Sequence, residues 1–143
     1  MPAPNDYSDD WFNIFLQTYP DEFTRAEVKF IQQFLPLNDY SHILDICCGT
    51  GRHARYLAAD GYRITGIDIN EDAIAEAKAK NTENTSFLVH DMRRIDTLPG
   101  SYHGAINMWQ SFGYFDDATN ISILKSIHDK LHMNGRFIID IYN

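Results

Sequence analysis

Basic residues are scarce in this 143-residue chain: 12 Lys and Arg stand against 20 Asp and Glu, for a formal net charge of −8 at pH 7. A surface of that sign repels phosphate backbones and anionic lipid, which argues against general nucleic-acid or membrane-surface binding. Cysteine is nearly absent. Cys47 and Cys48 are the only two and are adjacent; a bridge between neighbours would be strained and close no loop, and the spacing fits no zinc or redox motif. Both read as small, buried turn residues. No apolar run approaches the ~20 residues of a membrane span, and the acidic, polar start is unlike a signal peptide, so a cytoplasmic protein is the expectation. Repeats and low-complexity tracts are missing too. What is there suits one globular domain: 44% of residues are hydrophobic, and a chain of this length buries roughly two thirds of the surface it exposes when unfolded.

The early acids are unbalanced, because Asp6, Asp9, Asp10, Asp21 and Glu22 all precede the first basic residue, Arg25. They read as a solvated helix face, with a negative lid beside a cationic ligand as the alternative. Trp11 to Pro20 predicts a short aromatic helix, and a second follows from Asp21, with Val28, Ile31, Phe34 and Leu35 at helical spacing until Pro36 stops it. Beyond them the pattern alternates. Strands are predicted at His42–Cys47, from Tyr62, from Thr85, from His103 and from Arg136. Helices are predicted from Arg52 to Asp60 with Gly61 as C-cap, from Asn70 as N-cap, and from Asp116 as N-cap. The last has Ile121, Leu124, Ile127 and Leu131 on one face and ends at Gly135. Such alternation implies an α/β fold, a doubly wound sheet of parallel strands with helices on both faces.

Ligands of such sheets bind at the C-terminal ends of the strands. Four features fall there: the turn DICCGTGRHA, Asp68, Asp91 with Met92, and the segment from Asn107 to Tyr114. GTGRHA fits the G-x-G-x-x-G/A pattern, in which Gly49 and Gly51 open the backbone and the following helix offers unpaired N–H groups. Asp68, seventeen residues after Gly51, stands near the distance at which a second-strand acid accepts from ribose hydroxyls. Asp91 can accept from an exocyclic amine or merely cap the turn that follows. Asp45 is the oddity, since a carboxylate is a poor neighbour for a phosphate.

The runs HILDICCGTGRHA, GYRITGIDIN, FLVHDMR, INMWQSFGYFDD and LHMNGRFIIDIYN together resemble the class I S-adenosylmethionine-dependent methyltransferases, in the subgroup of small methyltransferase domains with GTGRHA and SFGYF motifs. The resemblance implies a Rossmann-like sheet of five parallel strands in the order 3-2-1-4-5, with two extra N-terminal helices. Residues 1–143 then form one domain, with 1–40 a helical cap and 41–143 a core without the family's usual last two strands. That makes the chain the cofactor-binding portion of a longer enzyme or a truncated product. S-adenosylmethionine has no phosphate and carries an amine and a sulfonium, so Asp45 becomes attractive rather than repulsive. By position, Asp45, Gly49 and Gly51 would serve the methionine end, with Cys47 where the family prefers glycine. Asp68 would bind the ribose, Ile69 would pack on adenine, Asp91 and the Met92 backbone would read its edge, and Asn107 and Met108 would flank the methionine portion.

The acceptor would be a small molecule, methylated by in-line displacement on a face lined by Trp11, Tyr19, Trp109, Gln110 and Tyr114; aromatic walls suit a cationic donor or an amine. No residue stands out as general base. His128 and His132, four apart, find no third ligand, so no metal is expected. Two other readings are a regulatory, cofactor-binding module without independent activity and, with less support, a nicotinamide-dependent oxidoreductase. The last strand, with Phe137, Ile138, Ile139 and Ile141, is expected to present an edge through which the chain could form a homodimer.

Overall fold

The computed structural model describes residues 10, 14 and 18–141. Trp11 and most of the first expected helix lie outside them. Helix α1 spans Asp21–Phe34, with Pro20 in extended conformation at its N-cap and two acids in its first turn, where they complement the helix dipole. Its buried stripe is Thr24, Val28 and Ile31, followed by Leu35. Each of these aliphatic side chains contributes roughly 2 kcal/mol by leaving water. Phe34, expected on that stripe, is 43% exposed instead.

Strand β1 (His42–Ile46), helix α2 (Arg52–Ala59), strand β2 (Arg63–Asp68), helix α3 (Glu71–Ala79) and strand β3 (Thr85–Val89) follow. A 3₁₀ segment over Met92–Thr97 links β3 to β4 (Tyr102–Asn107), and α4 (Asp117–Lys130) leads to β5 (Leu131–Ile139). The sheet order is β3-β2-β1-β4-β5 and every pairing is parallel. This is the Rossmann-like architecture expected. Alternate strand residues feed two cores. Ile43, Ile64 and Phe87 join Val28, Ile31, Leu57 and Ile74 on the face covered by α1, α2 and α3. Leu44, Ile46 and Ile67 join Ile95, Ile123 and Ile127 on the other.

The caps sit where the sequence places them. Asn70 accepts from the Ala73 N–H at 2.9 Å and Asp116 from the Thr119 N–H at 2.7 Å, while Gly61, at φ +103°, follows the end of α2. Two expectations about the C-terminal third are corrected. The buried face of α4 is Ile123 and Ile127, and Ile121 and Leu124 point outward. The helix also ends at Lys130 rather than Gly135: Leu131 opens β5, pairs with Tyr102, and the register then jumps so that Arg136 pairs with Gly104. Asn134 at φ +65° lies within this irregularity, and Gly135 is packed so closely on Leu131 that a Cβ there would lie 2.7 Å from it. Hence Gly135 is a strand glycine, and His132 shares no helix with His128. Among the described residues no group of three or more His, Cys, Asp or Glu is placed to hold a metal, and no helix is long and apolar enough to cross a membrane.

Candidate functional site

Order reverses between β1 and β4, and the turn after β1 lies at that reversal. Cys47, Gly49 and Gly51 all have left-handed backbone, at φ +59°, +56° and +80°. Glycine tolerates this freely, whereas a residue with a Cβ is penalised by about 1–2 kcal/mol. Cys47 thus occupies the most glycine-like of the non-glycine positions in the turn. Gly51 is required twice over, because a Cβ there would also meet the Phe87 ring at 2.6 Å. Its small size serves the packing of the turn on β3. The turn is tied to β2 by Asp68, whose two oxygens accept from the Gly49 and Asn70 N–H groups, each at 2.9 Å. Burial raises the Asp68 pKa, opposed by the hydrogen bonds from Asn70 and Gly49.

Two buried acceptors beside this turn find no donor. Asp45 is 2% exposed and its Oδ2 has no partner. Burial, then the charge of Asp68, pushes its pKa up to about 8 against the opposing pull of Arg52. Asn107, at the end of β4, donates from Nδ2 to the Ile46 carbonyl at 3.0 Å, but its Oδ1 is unpartnered. An unsatisfied buried acceptor costs about 1–3 kcal/mol, so a donor-rich cationic group is the complement both lack. That is the chemistry of an ammonium group, and the residues present fit it.

On the far side of the turn, Cys47 Sγ lies 3.7 Å from Met92 Sδ and 3.8 Å from the Ser111 carbonyl oxygen. This contact joins the segment after β3 to the segment after β4. Ile69 is 55% exposed beside Asp68. Met92 and Met108 are buried. Asp91 caps the 3₁₀ segment by accepting from the Arg93 N–H at 2.8 Å and also pairs with the Arg93 guanidinium at 2.5 Å, which holds its carboxyl below the usual range. Its capping role is therefore plain in the structure.

After β4 the chain makes two consecutive left-handed residues, Trp109 at φ +62° and Gln110 at φ +58°. Asp140, beyond β5, holds them: its Oδ2 accepts from the Trp109 N–H at 3.2 Å and its carbonyl from the Gln110 N–H at 3.1 Å. Trp109 meets Tyr19 edge to face at 4.3 Å. Both donate to Glu27 Oε1, Tyr19 from its hydroxyl at 2.6 Å and Trp109 from Nε1 at 3.3 Å, while His53 Nε2 meets Oε2 at 2.5 Å. Burial works against the Glu27 charge, but the bonds from His53 and Tyr19 prevail and its pKa is lowered. Burial and Glu27 push the Tyr19 hydroxyl up to about 12. Tyr114 is half-buried on the same loop.

The structure thus brings Asp45, Cys47, Gly49, Gly51, Asp68, Asn107 and Met108 to neighbouring strand ends, links Met92 to them through Cys47, and joins Tyr19 to Trp109. Glu27, Arg52, His53 and Asp140 were not anticipated. One signal was present: Glu27 falls between Thr24, Val28 and Ile31 on the buried stripe of α1, where a carboxylate without partners is costly.

A family profile described as "Methyltransferase domain" matches residues 43–135. The chain belongs to that family. Membership of a methyltransferase family gives a nicotinamide oxidoreductase no support. The chain is 30% identical over 118 residues to the putative methyltransferase YqeM of Bacillus subtilis, an alignment covering 80% of this chain and 47% of that protein. Among solved structures it resembles the sugar N-methyltransferase KedS8 from Streptoalloteichus (TM-score 0.83, 20% identity, 99% of this chain and 57% of the other). It also resembles CalS10 from Micromonospora echinaspora, an amino pentose methyltransferase solved with S-adenosylmethionine bound (TM-score 0.76, 16% identity, 97% and 58%). The chain spans about half the length of the curated relative it matches.

Proposed function

We propose that this methyltransferase-family chain binds S-adenosylmethionine at the C-terminal ends of β1, β2 and β4 and serves methyl transfer to a small-molecule acceptor. The observation that carries the reading is the unpartnered Asp45 Oδ2 beside the left-handed turn. The cofactor supplies a methyl group already activated by its sulfonium, and an acceptor lone pair displaces it in line. The chain's own task is to bind, orient and exclude water. Asp68 is buried, fixed by two backbone donors, and keeps lone pairs for ribose hydroxyls. Ile69 offers an exposed apolar surface for adenine. Asp91 reads the adenine edge with whatever acceptor capacity its Arg93 pair leaves, and the Met92 backbone assists. Tyr19, Trp109, Gln110 and Tyr114 wall the acceptor side.

KedS8 is a sugar N-methyltransferase and CalS10 an amino pentose methyltransferase, which makes an amine-bearing small molecule the first acceptor class to test. Incubation with S-adenosylmethionine labelled in its methyl group, against pools of small amines, RNA and protein, is the assay. Label in the small-molecule fraction is expected; label confined to RNA or protein would contradict the reading. A second reading is a cofactor-binding module that needs further chain for transfer. The partial coverage of the relatives favours it, and a chain that binds S-adenosylhomocysteine but labels none of the pools would support it.

A further inference from the structure

The strand ends opposite the candidate site carry three histidines: His42 opens β1, His103 lies second in β4 and His132 second in β5. Their bonding fixes where the protons sit. Arg63 Nη2 lies 2.8 Å from His42 Nδ1, and a guanidinium only donates, so that nitrogen is bare and Nε2 carries the proton towards Thr65 Oγ1 at 3.0 Å. The His42 backbone N–H in turn donates to His103 Nδ1 at 3.1 Å, with Ser41 Oγ at 3.4 Å, so this nitrogen is bare as well. Beyond it the His103 and His132 rings face each other, with centroids 4.7 Å apart and planes 30° from parallel, and His132 Nε2 lies 3.3 Å from Ser101 Oγ. The first two contacts require neutral rings, and the third sets two like charges face to face if both rings are protonated. Burial, then the charge of Arg63 and the neighbouring imidazoles, lowers the His42 pKa from 6.5 to about 4.

These rings meet at the irregular start of β5, where the register jumps between the Tyr102–Leu131 and Gly104–Arg136 pairs. The Tyr40 hydroxyl donates to the Asn134 carbonyl at 3.1 Å, and Arg136 Nη1 to the Phe34 carbonyl at 2.7 Å. A cavity of about 370 Å³ borders His103, His132, Asn134 and Arg136, so an ionised ring there has room for water. Arg63 and Arg136 oppose protonation of the cluster, and Asp39, on the same cavity, favours it. Tyr102 packs on the His42 ring at 4.7 Å and Tyr40 lines the cavity. On the α4 side Asp129 pairs with His128, and Lys130 donates to the Leu98 carbonyl. We propose that His42, His103 and His132 form an acid-operated latch: neutral, they hold the start of β5 against β4 and β1, and protonation of His103 and His132 releases residues 131–136 while the rest of the sheet stays folded. Protonation at His103 Nδ1 replaces the acceptor of the His42 N–H by a second donor, and the charge it adds faces that of His132. The closed latch thus binds fewer protons than the open one, so its hold is complete at high pH and is lost as pH falls. The ligand at the other strand ends plays no part in it.

Hydrogen exchange at about pH 7.5 and about pH 5.5, corrected for the intrinsic effect of pH on the rates, tests the latch. In the unmodified chain, protection of the His42 amide and of the protected amides among 131–136 should fall at least about tenfold, one linked proton giving up to about tenfold per pH unit. Amides of β2 and β3 should change by less than about threefold, since they belong to the part that stays folded. His103→Asn offers an amide oxygen in place of Nδ1 and cannot titrate, so it should keep the protection and flatten its pH response. His132→Gln removes one of the two facing charges and should reduce the response; it carries the test if His103→Asn does not fold. Ring ¹⁵N spectra at the higher pH should show the proton on Nε2 in both His42 and His103. A proton on His103 Nδ1, no local fall in the unmodified chain, a fall shared equally by β2 and β3, or a full response in the folded variants would overturn the proposal.

Discussion

Cys47 shows how a single residue can violate a local rule at a functional turn. Its left-handed backbone is the conformation glycine adopts without penalty, yet its thiol bridges Met92 and Ser111. Cys47→Gly should therefore be near neutral, within about 1 kcal/mol, because relief of strain offsets the lost contacts and the more flexible unfolded chain. Cys47→Val should cost about 2 kcal/mol or more, since a β-branched side chain fits that backbone worst. Urea unfolding of both variants checks this, and equal losses for Gly and Val would contradict it. Asp45 gives a second residue-scale prediction. Its pKa lies near 8 in the folded chain against an ordinary 3.8, so between those values the folded state holds a proton that the unfolded state has lost. The stability of the unliganded chain then falls as pH rises through that window. A cationic ligand favours the ionised form, so binding should release a proton, and affinity should rise by up to about tenfold per pH unit from about pH 6 to 7.5. Calorimetry in buffers of different ionisation enthalpy measures the proton, and Asp45→Asn should abolish its release. The oddness of Asp45 was legible in the sequence because charge sign is a local property. The strain at Cys47 was not, because φ is set by neighbours distant in sequence.

At the scale of elements, the turn between β1 and α2 depends on β3. The Phe87 ring fills the space above both Gly51 and Gly66, where added Cβ atoms would lie 2.6 and 2.7 Å from it. Gly51→Ala should destabilise the chain by roughly 2–4 kcal/mol, combining left-handed strain with overpacking. Adding Phe87→Leu should recover the overpacking part alone, so the double variant should be less destabilised than the sum of the singles. Denaturant unfolding of the four proteins supplies the cycle; strict additivity would contradict the contact. The alternation of strands and helices was plain from periodicity and caps, since Asn70, Asp116 and Gly61 act locally. The face of α4 and the start of β5 were not. Ile121, Leu124, Ile127 and Leu131 form as good a helical stripe as the buried Ile123 and Ile127. The choice between them is made by packing of α4 on the 3₁₀ segment and the sheet, and Leu131 is drawn from the helix by pairing with Tyr102.

For the whole molecule, five parallel strands leave β5 at one edge of the sheet. Phe137, Ile138 and Ile139 lie on it half-buried and Ile141 follows it, 61% exposed. A net charge of −8 opposes close approach of two copies, whereas an unpaired strand edge favours it. If the edge prevails, sedimentation should show a dimer that strengthens with salt and is weakened by Ile141→Lys; a monomer at all salt concentrations would exclude the homodimer proposed for this edge. The central claim is that the strand ends carrying Asp45 and Asp68 are a receptor for a phosphate-free, zwitterionic adenosine ligand. Titration calorimetry of the unmodified chain with S-adenosylhomocysteine tests it most directly, alongside Asp68→Ala and a nicotinamide dinucleotide. Binding in the micromolar range, weakened at least about tenfold by loss of the Asp68 carboxylate and absent for the dinucleotide, is the predicted result. No heat with S-adenosylhomocysteine, together with clear binding of the dinucleotide, would contradict it.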